Sequence, residues 1–84
     1  MKPVPSLPSD VDQRLIAERN AASDRLRELI EERGDGDFTP DAERQVFRMI
    51  RRIASIDAAR HGRDFSALTA EELAWLCAQG VATD

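Results

Sequence analysis

The chain has 84 residues, of which 42% are hydrophobic and 33% charged, and its formal net charge is −4. This length predicts one small domain with a thin margin of stability, and the apolar content is too high for a disordered chain of modest charge. The absence of Tyr and the few aromatic residues disfavour an all-β sandwich, while the acidic balance argues against a general binder of polyanions.

Cysteine usage and hydropathy indicate a cytoplasmic, soluble protein. Cys77 is the single cysteine, so the fold cannot depend on an intramolecular disulfide or an oxidising compartment. Nothing resembles a signal peptide, and no stretch approaches the roughly 20 apolar residues that a membrane span needs. Eleven Arg against one Lys suggest coding from GC-rich DNA and hence a bacterial, phage or plasmid origin.

The chain begins with a proline-rich segment. Residues 1–9 contain three of the four prolines, which favour extended backbone, so we expect a flexible arm at 1–9 and a single helical domain at 10–84. Pro5 and Pro8 form a PxxP pattern, which we interpret as part of an unstructured leader.

The first predicted helix follows this arm and runs to Arg33. Ser9 is its expected N-cap, and Gly34 is its expected stop. The apolar positions share one arc at helical spacing: Val11, Leu15, Ile16, Ala22, Leu26, Leu29 and Ile30. Arg19 and Arg33 stand where a heptad repeat needs apolar residues, so a long coiled coil is the weaker interpretation.

A short turn of alternating Gly and Asp, residues 34–37, joins the first and second helices. A turn of this length favours an antiparallel helical hairpin. The Asp-Gly alternation also resembles part of a calcium loop, but the further oxygen ligands and the closing Glu are missing, so we expect a turn and no metal.

The second predicted helix spans Thr39 to Gly62 and carries the widest apolar face. Thr39 is its expected N-cap, and Gly62 its expected left-handed C-terminal residue. At 100° per residue one side carries Val46, Met49, Ile50, Ile53 and Ala54, with Phe47 and Ile56 at its margins.

Four arginines of this helix form a stripe on the opposite side, which we call the Arg stripe: Arg44, Arg48, Arg51 and Arg52. Ser55 extends the line. Residues 38–63 hold six Arg against three acids, whereas residues 64–84 hold four acids and no base. The stripe is interpreted as a solvated face, as a binding surface for a protein, or as a phosphate-binding surface for nucleic acid.

Asp57 is predicted to lie near the middle of the apolar face. A buried carboxylate without a partner is costly, so we expect an ion pair with Arg19 or Arg60. The pair is interpreted as structural, fixing the register of the helices, because no second acid, nucleophile or histidine is in register for catalysis.

The third predicted helix is short. Thr69 and Glu72 match a capping box, and Gly80 should end the helix. Cys77 is predicted to be a core residue beside Leu73 and Leu76. Trp75 points the other way, so it lies flat along the first two helices or serves as an anchor for a partner.

The C-terminal segment LTAEELAWLCAQGVATD resembles the opening half of the helix-turn-helix of small bacterial repressors, in which a T-x-E-E-L-A helix precedes a glycine turn. It covers about one fifth of the chain. The sequence departs from that pattern at Asp84, where a recognition helix should begin, so we interpret the segment as a capped helix.

Together these patterns predict an all-α protein of three helices and no enzyme. There is no phosphate-binding loop or nucleophile motif, His61 has no companion ligand, and we expect neither metal nor cofactor. The apolar arc of the second helix exceeds what two neighbouring helices cover, which favours a homodimer. The expected function is binding of another protein, with Trp75 and the Arg stripe as contacts; the alternative is binding of nucleic acid through the stripe.

Overall fold

The structure, a computed structural model, describes residues 7–61 and 64–83. It contains three α-helices, α1 (Ser9–Arg33), α2 (Pro40–Arg60) and α3 (Ala70–Ala78), and the described residues include no strand. The predicted all-α class is therefore confirmed. None of the helices in these two ranges is long and apolar enough to cross a membrane. Most of the predicted arm, residues 1–6, lies outside the described residues.

The start of α1 corrects one prediction. Pro8, not Ser9, occupies the N-cap position, with φ −53° and ψ 143°, and no side chain caps the helix. Ser9 is already helical, so its hydroxyl is not placed to accept from the orphan N–H groups of the first turn. The Pro8 carbonyl instead accepts the first helical hydrogen bond, from the Asp12 N–H at 2.9 Å. Gly34, at φ +61°, follows the last residue of α1.

The N-terminus of α2 follows the sequence pattern, whereas its C-terminus does not. The Thr39 hydroxyl accepts from the Ala42 N–H at 3.1 Å. At the other end His61 adopts extended backbone, φ −128° and ψ 136°, so the helix stops at Arg60, before the predicted boundary. Gly62, the predicted left-handed residue, lies outside the described residues.

Residues early in α1 contact residues late in α2. Arg60 Nε lies 2.7 Å from Asp12 Oδ1, and further along Arg25 Nη2 donates to Gln45 Oε1 at 3.0 Å. The Arg33 guanidinium stacks 4.7 Å from the centre of the Phe38 ring, which closes the turn between the helices. The resulting molecule is elongated, with extents of 51 × 23 × 23 Å.

The core joins all three helices at the end of α1 and α2 that lies away from this turn. Its buried members are Val11, Leu15, Ile56, Ala59, Leu76 and Val81. α3 is too short to persist alone, and this packing gives it the tertiary support that it needs. Nearer the turn, Ala22 and Leu29 are buried, while Ile30 and Ile50 stay exposed.

The placement of α3 corrects three further predictions. Ser55, expected on the polar side of α2, is buried, and its hydroxyl donates to the Arg51 carbonyl at 2.9 Å. Ala54, expected on the apolar face, is exposed. Cys77, expected in the core, is also exposed, with Sγ 3.1 Å from Thr83 Oγ1. Tertiary packing decides which side of α2 is covered by α3 and which side of α3 faces the core, and helical periodicity reports neither.

A glycine turn after α3 brings Val81 into the core. The Val81 N–H donates to the Leu76 carbonyl and the Gly80 N–H to the Cys77 carbonyl, both at 3.0 Å, which is the Schellman pattern. Gly80 has φ +95°, and a Cβ on it would lie 3.2 Å from Val11 Cγ2. The turn therefore needs glycine both for its backbone conformation and for the space beside α1.

Gly80→Ala is expected to lower the free energy of unfolding by about 1–2 kcal/mol, because it adds strain at positive φ and a close contact with Val11. Urea denaturation followed by circular dichroism measures this loss. Gly36→Ala is the matched control, since its added Cβ would make only an ordinary 3.6 Å contact. An equal loss in both variants would contradict the assigned role of Gly80.

Candidate interaction surface

The Arg stripe is divided by α3. Arg51 Nε and Nη2 donate to the two carboxylate oxygens of Glu72 at 2.7 and 2.6 Å, and Nη2 also donates to the Ala67 carbonyl at 2.9 Å. The hydrogen bonds from Arg51 are the main cause that lowers the pKa of Glu72 to about 2. Arg51 therefore links α2 to α3 through these hydrogen bonds.

Arg52 is also engaged with α3. Its guanidinium lies over the Trp75 ring, 3.9 Å from the ring centre, which is a close cation–π contact. Trp75 itself is half-buried and packs against the core cluster. The structure thus packs Trp75 against the core cluster, with one face of its ring covered by Arg52 of α2.

The other two arginines of the stripe remain open. Arg44 is 79% exposed at its side chain, and the one ion pair that it makes with the described residues, with Asp41, has a separation of 4.0 Å. Arg48 is exposed and makes no hydrogen bond or ion pair with the residues that the structure describes. Between them in sequence lies Phe47, which is 66% exposed.

Phe47 borders two open depressions of the surface. The first, of about 820 Å³, lies on α2 alone and is bordered by Arg44, Val46 and Ile50 among others. The second, of about 620 Å³, lies between α2 and α3 and is bordered by Arg52, Glu71 and Trp75 among others. Phe47 and Arg48 border both.

Sequence reasoning placed Phe47 at the margin of the apolar face and gave it no role. A usable signal was present, because Phe47 precedes Ile56 by nine residues, which at 100° per residue puts the two side chains on opposite sides of the helix. Ile56 is fully buried, so Phe47 has to face away from the core.

A second exposed apolar surface lies on the α1–α2 pair. Arg19 Nε contacts Asp57 Oδ1 at 2.9 Å across the two helices and marks one side of the pair. Ile30 follows Arg19 by about three turns and Ile50 precedes Asp57 by about two, so both isoleucines lie on that side. They are 45% and 48% exposed. We call this surface the Ile30–Ile50 face.

Two arginines were predicted as partners of Asp57, and the structure assigns only Arg19 to it. Arg60 contacts Asp12 instead, so two ion pairs link α1 and α2 where one was expected. The side chain of Asp57 is 41% exposed, so it lies at the edge of the apolar face and not in its middle. Its position one residue, or about 100°, after the buried Ile56 explains this.

The described ranges offer no metal centre: within 7–61 and 64–83 no group of three His, Cys, Asp or Glu side chains could hold an ion. His61 is exposed at the end of α2.

No known protein family, curated protein or solved structure matches the chain. The Arg stripe with Phe47, and the Ile30–Ile50 face, are therefore the candidate functional surfaces of the described residues.

Proposed function

We propose that this protein is a small, non-enzymatic protein-binding module of bacterial, phage or plasmid origin, acting in the cytoplasm as a homodimer. In this proposal α1 and α2 form an antiparallel hairpin, and two hairpins associate through the Ile30–Ile50 face. The observation that carries the proposal is the exposure of Ile30 and Ile50, at 45% and 48%, on one side of the α1–α2 pair.

Burial of apolar surface supplies the reason for association. α3 covers the other end of α1 and α2, so the described residues place no third helix over Ile30 and Ile50. Val46 lies one turn from Ile50 and extends the apolar surface. A second hairpin packed on this surface would complete a four-helix bundle, a common solution for hairpins with an uncovered apolar side.

The polar border of the Ile30–Ile50 face supports a two-fold arrangement. The Arg19–Asp57 ion pair is about 40% exposed, so a second copy would meet one positive and one negative group there. In a symmetric dimer the same surface patch of each protomer contacts the other. Arg19 of one protomer can then face Asp57 of its partner, so like charges are not placed together.

Replacement of both isoleucines by aspartate is expected to convert the dimer to a monomer, because two carboxylates would be buried without partners. Sedimentation velocity at micromolar concentrations measures the mass, and circular dichroism checks the helix content. Ala21→Asp is the control, since Ala21 is exposed and lies nine residues before Ile30, on the opposite side of α1. A wild-type protein that sediments as a compact monomer would refute the dimer.

Binding of nucleic acid is the second candidate function, and the exposure of Arg44 and Arg48 favours it. Because Arg51 pairs with Glu72, three guanidinium groups, those of Arg44, Arg48 and Arg52, remain for phosphates. Three contacts predict a slope of about −2.7 for log affinity against log salt. Fluorescence anisotropy with a labelled nonspecific duplex at increasing salt tests this, and absence of binding at micromolar protein would exclude it.

A further inference from the structure

The surface around Phe47 has features that the dimer leaves unused. It combines the exposed Phe47 ring with Arg44 and Arg48 on α2 and with Arg52 and Trp75 at the groove towards α3. We propose that this Phe47 surface binds an acidic amphipathic helix of a partner protein. The inference rests on the proposed protein-binding function and names the chemistry of the partner.

The charge of the Phe47 surface favours an acidic partner. The chain has a net charge of −4, yet residues 44–52 carry four arginines and no acid. Glu72 compensates Arg51 with two short hydrogen bonds. Arg44, Arg48 and Arg52 keep their positive charge, since Arg44 lies 4.0 Å from an exposed Asp41 and Arg52 contacts an uncharged ring. The Phe47 surface is therefore a positive region on an acidic protein, and a partner with carboxylates complements it.

The spacing of the arginines on α2 favours a helical partner. Arg44, Arg48 and Arg52 follow one another at intervals of four residues, a rise of about 6 Å each. Carboxylates four residues apart on a partner helix have the same rise, so three of them can meet the three guanidinium groups in register. Each guanidinium offers a planar pair of donors that suits a carboxylate.

The apolar centre of this surface selects a protein helix over a phosphate backbone. Phe47 lies beside Arg44 and Arg48 on α2 and borders two depressions, one of about 820 Å³ and one of about 620 Å³. Apolar side chains one turn apart on a partner helix fit on either side of such a ring, which is the helix-in-groove mode of recognition. Aromatic and arginine side chains are also the residues that most often dominate binding energy at interfaces.

Acidic groups at the border of the surface oppose a nucleic acid. Glu43 borders the depression on α2, and Glu71 borders the groove beside Trp75. A phosphate backbone running along the stripe would pass close to both carboxylates, whereas a helix with one acidic stripe can present apolar or basic residues there.

The test measures binding of the full chain to a labelled helical peptide by fluorescence anisotropy. The peptide carries glutamate at every fourth position with leucines beside them, and a matched peptide carries glutamine in place of each glutamate. We expect the glutamate peptide to bind at least about tenfold more tightly than the glutamine peptide. Equal binding of the two peptides would overturn the proposal.

Variants locate the site. Phe47→Ala and Arg48→Ala are each expected to weaken the glutamate peptide by about tenfold, and both side chains are exposed, so the fold should be retained. Arg27→Ala is the matched control, because Arg27 is exposed on α1 and makes no ion pair within the described ranges. A loss at Arg27 equal to that at Arg48, or a tighter complex with duplex DNA than with the peptide, would overturn the proposal.

The same variants separate this inference from the dimer. Phe47 is offset by about 60° around α2 from Ile50, so Phe47→Ala should sediment like the wild type. Ile30→Asp alone, on α1 and bordering neither depression, should weaken the dimer and still bind the glutamate peptide. A wild-type protein that is a monomer and still prefers the glutamate peptide would refute only the Ile30–Ile50 face, and a wild-type dimer that binds the two peptides equally would refute only the Phe47 surface.

Discussion

Ile56→Ala is expected to lower the free energy of unfolding by about 3 kcal/mol, a large share of the total for a domain of this size. Ile56 is fully buried and belongs to the cluster in which α1, α2 and α3 meet. Truncation leaves a cavity beside Leu15 and Leu76, and the surrounding helices can close it only in part. The midpoint of thermal unfolding should fall by roughly 12–24 °C.

Urea denaturation followed by circular dichroism measures this loss at a fixed, low protein concentration, at which association contributes little. Ile56→Val removes one methyl group and should cost about 1 kcal/mol. Ile50→Ala removes the same atoms as Ile56→Ala from a side chain that is 48% exposed, so its cost should be clearly smaller. Equal costs at the two positions would contradict the assignment of the core.

The ends of the helices were predictable where a local residue determines them. Thr39 and Thr69 each accept a backbone N–H of their own helix, and Glu72 completes the capping box as the sequence indicates. Gly34 and Gly80 both have positive φ. These features were readable because each depends on a few consecutive residues. Ser9 does not cap α1, because the extended N-cap residue is Pro8, one position earlier.

The side of α2 that is buried could not be read from periodicity alone. The apolar arc of α2 was predicted around Ile50 and Ile53, whereas the fully buried positions are Ser55, Ile56 and Ala59. A serine does not usually indicate a core position, but burial of Ser55 is tolerated because its hydroxyl donates to the Arg51 carbonyl. The packing of α3 determines which side of α2 is buried. Packing between distant segments does not appear as a periodic pattern in the sequence of α2.

The sequence predicted the arginines of the candidate site as one group. It did not predict that some of them contact α3 while others stay exposed. The sequence indicated four arginines on one side of α2, and it gave no reason to separate Arg51 from Arg48. The separation arises because Glu72 lies 21 residues from Arg51 and reaches it only after α3 has docked. The exposure of Phe47 also depends on where α3 docks, because α3 does not cover this side chain.

The Arg51–Glu72 pair is the second position at which we expect a large effect. Glu72→Gln should lower the free energy of unfolding by about 2 kcal/mol at neutral pH, because it removes a charge-assisted pair whose carboxylate is only 15% exposed at its side chain. Glu71→Gln is the matched control: Glu71 is the adjacent, exposed residue in the same turn of α3. The fluorescence of Trp75, the single tryptophan, reports the loss of α3 directly.

The same pair predicts how stability changes in acid. The folded-state pKa of Glu72, about 2, lies below the ordinary value of 4.5, so protons bind this group more tightly in the unfolded chain. Its contribution is therefore complete above a pH of about 4.5 and is lost as the pH falls towards 2. Wild-type protein and Glu72→Gln should differ most at neutral pH and converge towards pH 2, as urea denaturation at a series of pH values would show.

Asp64, whose pKa is also lowered by its hydrogen bonds from Ser66, contributes equally to both proteins and cancels in the comparison. A difference that stayed constant down to pH 2 would mean that the Glu72 carboxylate does not hold α3 through its charge.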